Sequence, residues 1–145
     1  MGTKGCQRTF YNHAVSSEIS VLEGVMGLYD GGSASTAALS KLLGVPVILI
    51  IDAQSSAESS VAVLNGFESY DPEVQILGVI FNKIGSQRHK SLIDAEAQKK
   101  SSIPVIGYMP RDLDFQIAER HLGLHMGDEN PLSRAALDSL ADSIE

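Results

Sequence analysis

Cysteine is almost missing. Cys6 stands alone among 145 residues, which excludes an internal disulfide framework and any cysteine-rich zinc site and leaves a buried or inert thiol as the expectation. Long apolar runs are missing too. No uninterrupted stretch approaches the roughly 20 residues of a membrane span, and Met1–Thr9 lacks the apolar core of a signal peptide. A cytoplasmic protein with no membrane partner is therefore expected. Positive charge is scarce: 11 Lys and Arg stand against 18 Asp and Glu, a net charge of −7. Those charges are spread along the chain, so a nucleic acid partner is not expected. Nor is there a dinucleotide fingerprint, because Gly24 is followed two positions later by Met26 rather than by a second glycine.

What is present fits one domain. A chain of this length with 43% apolar residues can bury a core without disulfides or a structural metal. Four short, β-branched runs, Ile19–Leu22, Val45–Ile51, Ile76–Phe81 and Val105–Met109, are bounded by Gly, Pro, Asp or Asn and read as buried parallel strands. Between them lie helical spacings, such as Ala57, Val61, Leu64 and Phe67, and near the C-terminus Leu132, Ala136, Leu140 and Ile144. Ser33 or Ser35 starts a helix that runs to Leu43, Ser86 starts Gln87–Lys100, and Asn130-Pro131 starts the last one. Gly44 supplies a stop. The order β-α-β-α-β-α-β-α predicts an α/β fold, an open, mostly parallel sheet with helices on both faces and ligands at the strand C-terminal edge.

The residues after each strand carry the chemistry. The first run delivers Glu23 and then Gly24–Gly32, a glycine-dense loop entering the Ser33–Thr36 helix start. A carboxylate there can hold Mg²⁺, and glycine N–H groups and hydroxyls can meet an anion. A glycine-rich turn with a solvated glutamate accounts for the same residues. Asp52 with Ala53–Ser56 reads as acid plus hydroxyls or as helix capping. Asn82-Lys83-Ile84-Gly85 offers an amide suited to a purine edge, or a common turn. Pro110-Arg111-Asp112 and Glu119–Leu124 offer guanidinium groups able to clamp a carboxylate or to form exposed ion pairs. His121 and His125 are four apart, but the intervening Gly123 disfavours a shared helix face for a metal. A phosphoacceptor receiver domain, with Asp52 as acceptor, shares the size and acidity, but wants an acidic pair after the first strand where Glu23 stands alone.

Several strings are far more specific than any of these patterns. Val21–Gly31 (VLEGVMGLYDG), Ser35-Thr36-Ala37, Lys41–Val47, Gly78–Ser86 and Arg120–Leu124 (RHLGL) occur colinearly within about Tyr11 to Leu124. Together they resemble cobyrinic acid a,c-diamide synthase. The resemblance implies an enzyme of cobalamin biosynthesis that uses ATP and Mg²⁺ to activate the a and c acetate carboxylates of a corrin precursor as acyl phosphates, which ammonia from glutamine converts to amides. A closely similar class acts on nickel sirohydrochlorin.

By the same resemblance the fold is that of a P-loop NTPase domain like dethiobiotin synthetase, and residues 1–145 form one partial ATP-binding synthase domain. Glu23 becomes the Mg²⁺ ligand, Asp30 the catalytic residue and Asn82 an adenine contact, with Lys83 and Pro110 in the nucleotide pocket. Tyr29, Ser35, Thr36, Arg120 and His121 become contacts to the tetrapyrrole carboxylate. The sequence also departs from the family. It contains no G-x-x-x-x-G-K-S/T string and no room for a glutaminase domain with its nucleophilic cysteine. A synthase fragment inactive alone is expected, with a separate P-loop or glutaminase polypeptide as partner and self-association over an exposed sheet edge. The alternative is a non-catalytic module binding a nucleotide or tetrapyrrole.

Overall fold

The structure, a computed structural model, describes residues 2–112 and 133–144. Three of the four expected strands form: β1 (Val47–Asp52), β2 (Ile76–Ile84) and β3 (Val105–Pro110). They pair in parallel in the order β1-β2-β3, with Leu49 opposite Val79, Ile51 opposite Phe81 and Phe81 opposite Tyr108. Around them lie α1 (Thr3–Ala14), α2 (Thr36–Leu43), α3 (Glu58–Tyr70), α4 (Gln87–Lys100) and α5 (Arg134–Ser143). Among the described residues no helix is long and apolar enough to cross a membrane.

Local chemistry sets the helix ends. Ser35 Oγ accepts from Ala38 N–H at 3.1 Å, which makes Ser35, not Ser33, the start of α2, and Gly44 at φ 66 ends that helix in the left-handed region. Ser86 caps α4 by accepting from His89 N–H at 3.2 Å. Ser133 does the same for α5 through Ala136 N–H. Asn130 and Pro131, expected to open that helix, lie outside the described residues. On α5 the expected stripe survives as half-buried Ala136 and Leu140.

Sequential strand order with right-handed crossovers puts both connecting helices on one side of the sheet. Val61 and Leu64 of α3 and Ile93 and Ala97 of α4 are buried in one core with Leu49, Ile51, Val79, Phe81 and Tyr108. Each buried Val, Leu, Ile or Phe among them contributes about 1.5–3 kcal/mol. The expectation of helices on both faces is corrected for the described residues. Ile48, Ile50 and Ile106, which alternate with those core residues, stay 49%, 65% and 46% exposed.

The expected strand Ile19–Leu22 is also corrected. This segment has no strand conformation, and Ile19 and Val21 are exposed. Its composition suits a strand, but its backbone N–H and C=O groups need a neighbouring strand, and among the described residues none pairs with it. The chain opens instead with α1, where no regular element was expected.

Candidate functional site

Parallel strands deliver their last residues to one edge, and here that edge holds Asp52, Asn82, Lys83 and Pro110. Register places Asp52 beside Asn82 and Ile84 beside Pro110. The Asn82 side-chain oxygen accepts from the Lys83 backbone N–H at 2.8 Å, so the amide NH₂ remains as a donor toward a ligand. Lys83 adopts φ 62, a backbone region that non-glycine residues seldom occupy, and its ammonium donates to Asp52 Oδ2 at 2.6 Å. That hydrogen bond, with a second from Gln54 N–H, holds the Asp52 carboxyl below its ordinary range. Both side chains are about half exposed, at 41% and 52%, so the pair adds roughly 0–1 kcal/mol to stability.

Two clefts open at this edge. The larger, about 460 Å³, is lined by Ser55, Ser56, Lys83, His89 and Arg111 among others. The smaller, about 240 Å³, lies between Ile84, Gln87, Lys90, Tyr108 and Pro110. Within it the Tyr108 hydroxyl donates to Asp94 Oδ1 at 2.5 Å, and Lys90 Nζ sits 4.9 Å from the Tyr108 ring centroid. Burial first, and the Asp94 carboxylate second, push the Tyr108 hydroxyl well above its ordinary pKa. The combination of cations, serine hydroxyls and one aromatic wall can take an anionic ligand that carries a planar group.

The expected substrate loop lies elsewhere. Tyr29 donates its hydroxyl to the Phe67 carbonyl at 2.9 Å and packs on Phe67 and Tyr70, with ring centroids 5.9 and 4.4 Å away. Those residues end α3, which begins at the strand C-terminal edge and runs back along the sheet. Tyr29 is thus held at the opposite end of the layer from Asn82 and Lys83. Ser35 is buried and occupied as a helix cap, and Thr36 is half-buried against Gly24, where a Cβ would meet Thr36 Oγ1 at 2.7 Å. Asp30 is exposed, its carboxylate folded over Gly27 and its N–H bonded to the Gly27 carbonyl. Glu23 is exposed beside Gly24. Arg120 and His121 lie outside the described residues. The structure therefore brings Asn82, Lys83 and Pro110 together and holds Tyr29 apart from them.

Among the described residues no three His, Cys, Asp or Glu side chains gather as a metal site. Mg²⁺ is commonly held by only one or two carboxylates, with water and substrate phosphate completing its shell. Glu23 is exposed and offers one carboxylate, and the Thr36 hydroxyl lies beside neighbouring Gly24.

Residue-by-residue reading of the sequence missed two contributors. His89 bridges the loops after β1 and β2, and its only sequence signal is its place three residues beyond the helix-capping Ser86. Tyr108 reads as one more apolar residue of a buried strand until its hydroxyl is seen against Asp94.

A parallel α/β layer with polar clefts at the strand C-terminal ends is the class these features define. Comparison with known proteins supplies the family. The chain is 43% identical over 86% of its length to the cobyrinate a,c-diamide synthase of Caldanaerobacter subterraneus, 40% identical over 93% to that of Listeria innocua, and 44% identical over 79% to that of Methanosarcina barkeri. It is therefore homologous to one part of the cobyrinate a,c-diamide synthases, the family its motifs resemble, and its three-stranded layer fits a P-loop NTPase-like α/β fold. The chain spans 28%, 31% and 25% of the length of those three relatives. No family model matches it, and no solved structure does. The receiver-domain reading of Asp52 loses its ground to these relatives, and the Asp52 carboxylate is engaged by Lys83 and Gln54.

Proposed function

We propose that this chain carries the nucleotide end of an ATP-dependent amidation site acting on the a and c acetate carboxylates of a corrin precursor. The observation that carries this reading is the meeting of Asn82, Lys83 and Pro110 at one sheet edge, within a stretch homologous to synthases of that name. The Asn82 NH₂ donates to the purine, Pro110 closes the base pocket, and Lys83 contributes positive charge.

In the reaction, a carboxylate oxygen attacks the γ-phosphorus of ATP, forming an acyl phosphate and releasing ADP. Ammonia then attacks the acyl carbon, the C–O bond to phosphate breaks, and loss of a proton leaves the amide. Two anions must approach in the first step, so catalysis rests on positioning and on positive charge. Glu23 would hold Mg²⁺, whose charge would offset part of that repulsion. Asp30, Tyr29, Ser35, Thr36, Arg120 and His121 are assigned to the carboxylate-substrate side by the resemblance alone; in the structure the Tyr29 hydroxyl is bonded to the Phe67 carbonyl at the far end of the layer from Asn82, and Ser35 is occupied as a helix cap.

These 145 residues hold no P-loop string, so in this reading the phosphate cradle and the ammonia supply come from outside them, and these residues bind nucleotide without turning it over by themselves. Calorimetry tests this directly. Heat with Mg-ATP, and amidation of a corrin carboxylate only when a P-loop polypeptide is added, is the expected result. Binding that never yields amide under that addition favours a non-catalytic module, and no heat with either Mg-ATP or the corrin acid refutes both. Self-association belongs to the same reading, supported by the exposed Ile48, Ile50 and Ile106 on one sheet face. Ile50→Glu is expected to lower the sedimentation coefficient, and a wild-type chain that is strictly monomeric contradicts it.

A further inference from the structure

The His89 ring makes two hydrogen bonds whose partners settle its tautomer. The Gly85 backbone N–H can only donate, so Nδ1, 3.2 Å away, accepts. Nε2 then carries the ring proton and donates to the Ser56 carbonyl oxygen at 2.7 Å. The backbone of His89 is itself fixed, its N–H donating to Ser86 Oγ at the start of α4. One neutral imidazole thus ties the loop after β1 to the loop after β2.

A left-handed non-glycine residue stands at each tied segment, one in the loop after β1 and one near the end of β2. Ser55, next to Ser56, has φ 58, and Lys83, two residues before Gly85, has φ 62. L side chains adopt such backbone rarely, and it persists where the surroundings over-determine it. Ser55, Ser56, Lys83, Gly85 and His89 all line the 460 Å³ cleft. The strained positions and the ring that spans them therefore shape one cavity wall.

We propose that His89 is a positioning residue: as the Nε2–H tautomer it clamps Ser56 C=O to Gly85 N–H and so holds the two loops in the shape the nucleotide meets. The ligand part of this inference rests on the nucleotide reading of the strand ends; the clamp itself does not. Protonation of Nδ1 removes the acceptor from Gly85 N–H and opens one half of the clamp. The charged groups sharing the cleft are Glu58 at the start of α3, Lys83 near the end of β2 in its pair with Asp52, and Arg111 after β3 in its pair with Asp112, with Arg88 and Lys90 flanking on α4.

The test uses the full chain labelled with ¹⁵N. Ring nitrogen shifts are expected to report an unprotonated Nδ1 and a protonated Nε2. His89→Asn places an acceptor near Nδ1, and His89→Gln a donor near Nε2, so Gly85 exchange is expected to quicken in the Gln variant and not in the Asn variant. Each variant is expected to weaken Mg-ATP binding about three- to tenfold, the effect of one lost hydrogen bond. An Nδ1–H tautomer, equal Gly85 exchange in the two variants, or wild-type Mg-ATP affinity in both overturns the proposal. If the tautomer and the exchange difference are found but the wild type does not bind Mg-ATP, the clamp stands as a loop-positioning device and the nucleotide reading falls.

Discussion

Replacing Tyr108 with Phe removes one oxygen from the wall of the smaller cleft and leaves the ring stacked on Phe81, whose centroid is 6.1 Å away. The lost bond runs from a buried hydroxyl to the Asp94 carboxylate at 2.5 Å. Hydrogen bonds to charged partners contribute about 1.5–3 kcal/mol net, and half-buried Asp94 can recruit water in compensation, which puts the expected loss near the lower end, about 1.5 kcal/mol. The pH dependence carries the sharper signature. The folded-state pKa of Tyr108 lies above its unfolded value of 10.0, so its stabilising contribution is complete below that pH and declines as pH rises above it. The decline is at most about 1.4 kcal/mol per pH unit. Urea unfolding followed by circular dichroism, for both proteins across the alkaline range, gives the difference directly, because every other side chain is common to both. The gap is expected to be constant up to about pH 10 and to close near pH 11. A Phe variant as stable as wild type at neutral pH, or a gap that persists unchanged in alkali, refutes the reasoning.

Leu64→Ala, at a fully buried position between α3 and the sheet, is expected to lower unfolding stability by about 2–5 kcal/mol, measured by urea titration. Gly78→Ala places a Cβ 2.6 Å from Ile106 Cγ2 across two strands and is expected to lower stability by about 1–3 kcal/mol, a loss that Ile106→Ala in the same chain reverses in part. A double variant less stable than Gly78→Ala alone contradicts that contact. Asp52→Asn is expected to change neutral stability by less than about 1 kcal/mol, since the ion pair with Lys83 is half exposed. The Asp52 carboxyl is depressed on folding, so its contribution is present above its unfolded pKa of 3.8 and disappears as pH falls through the folded value. The Asn variant is therefore expected to show a shallower acid transition in pH-dependent melts.

Three strands were legible because Val45–Ile51, Ile76–Phe81 and Val105–Met109 are β-branched, short and bounded by breakers, and each finds a parallel neighbour. Ile19–Leu22 carries the same local signal and stays out of the sheet. Strand formation depends on pairing, a non-local property that composition does not encode. The serine caps at positions 35 and 86 were legible from a hydroxyl before an apolar helical repeat. Helices on both faces were expected from alternation alone, whereas the consecutive strand order sends α3 and α4 to the same side.

At the site, the motif strings pointed to Asn82, Lys83 and Pro110, which the parallel register brings to one edge. Tyr29 looked like part of the same site, but its aromatic ring packs against the end of α3, and no local spacing signals that contact. His89 is not legible in the sequence because its partners, a glycine amide and a serine carbonyl, are backbone groups without a side-chain signature.

The claim that a nucleotide is received where β2 and β3 end is tested most directly by amide chemical-shift mapping with Mg-ATP on the wild-type chain. Saturable shifts centred on Asn82–Ser86 and on Arg111 and Asp112, much reduced in Asn82→Ala, are the predicted result. A folded chain whose amides at those positions do not respond to millimolar Mg-ATP, or respond equally in the Asn82 variant, contradicts it.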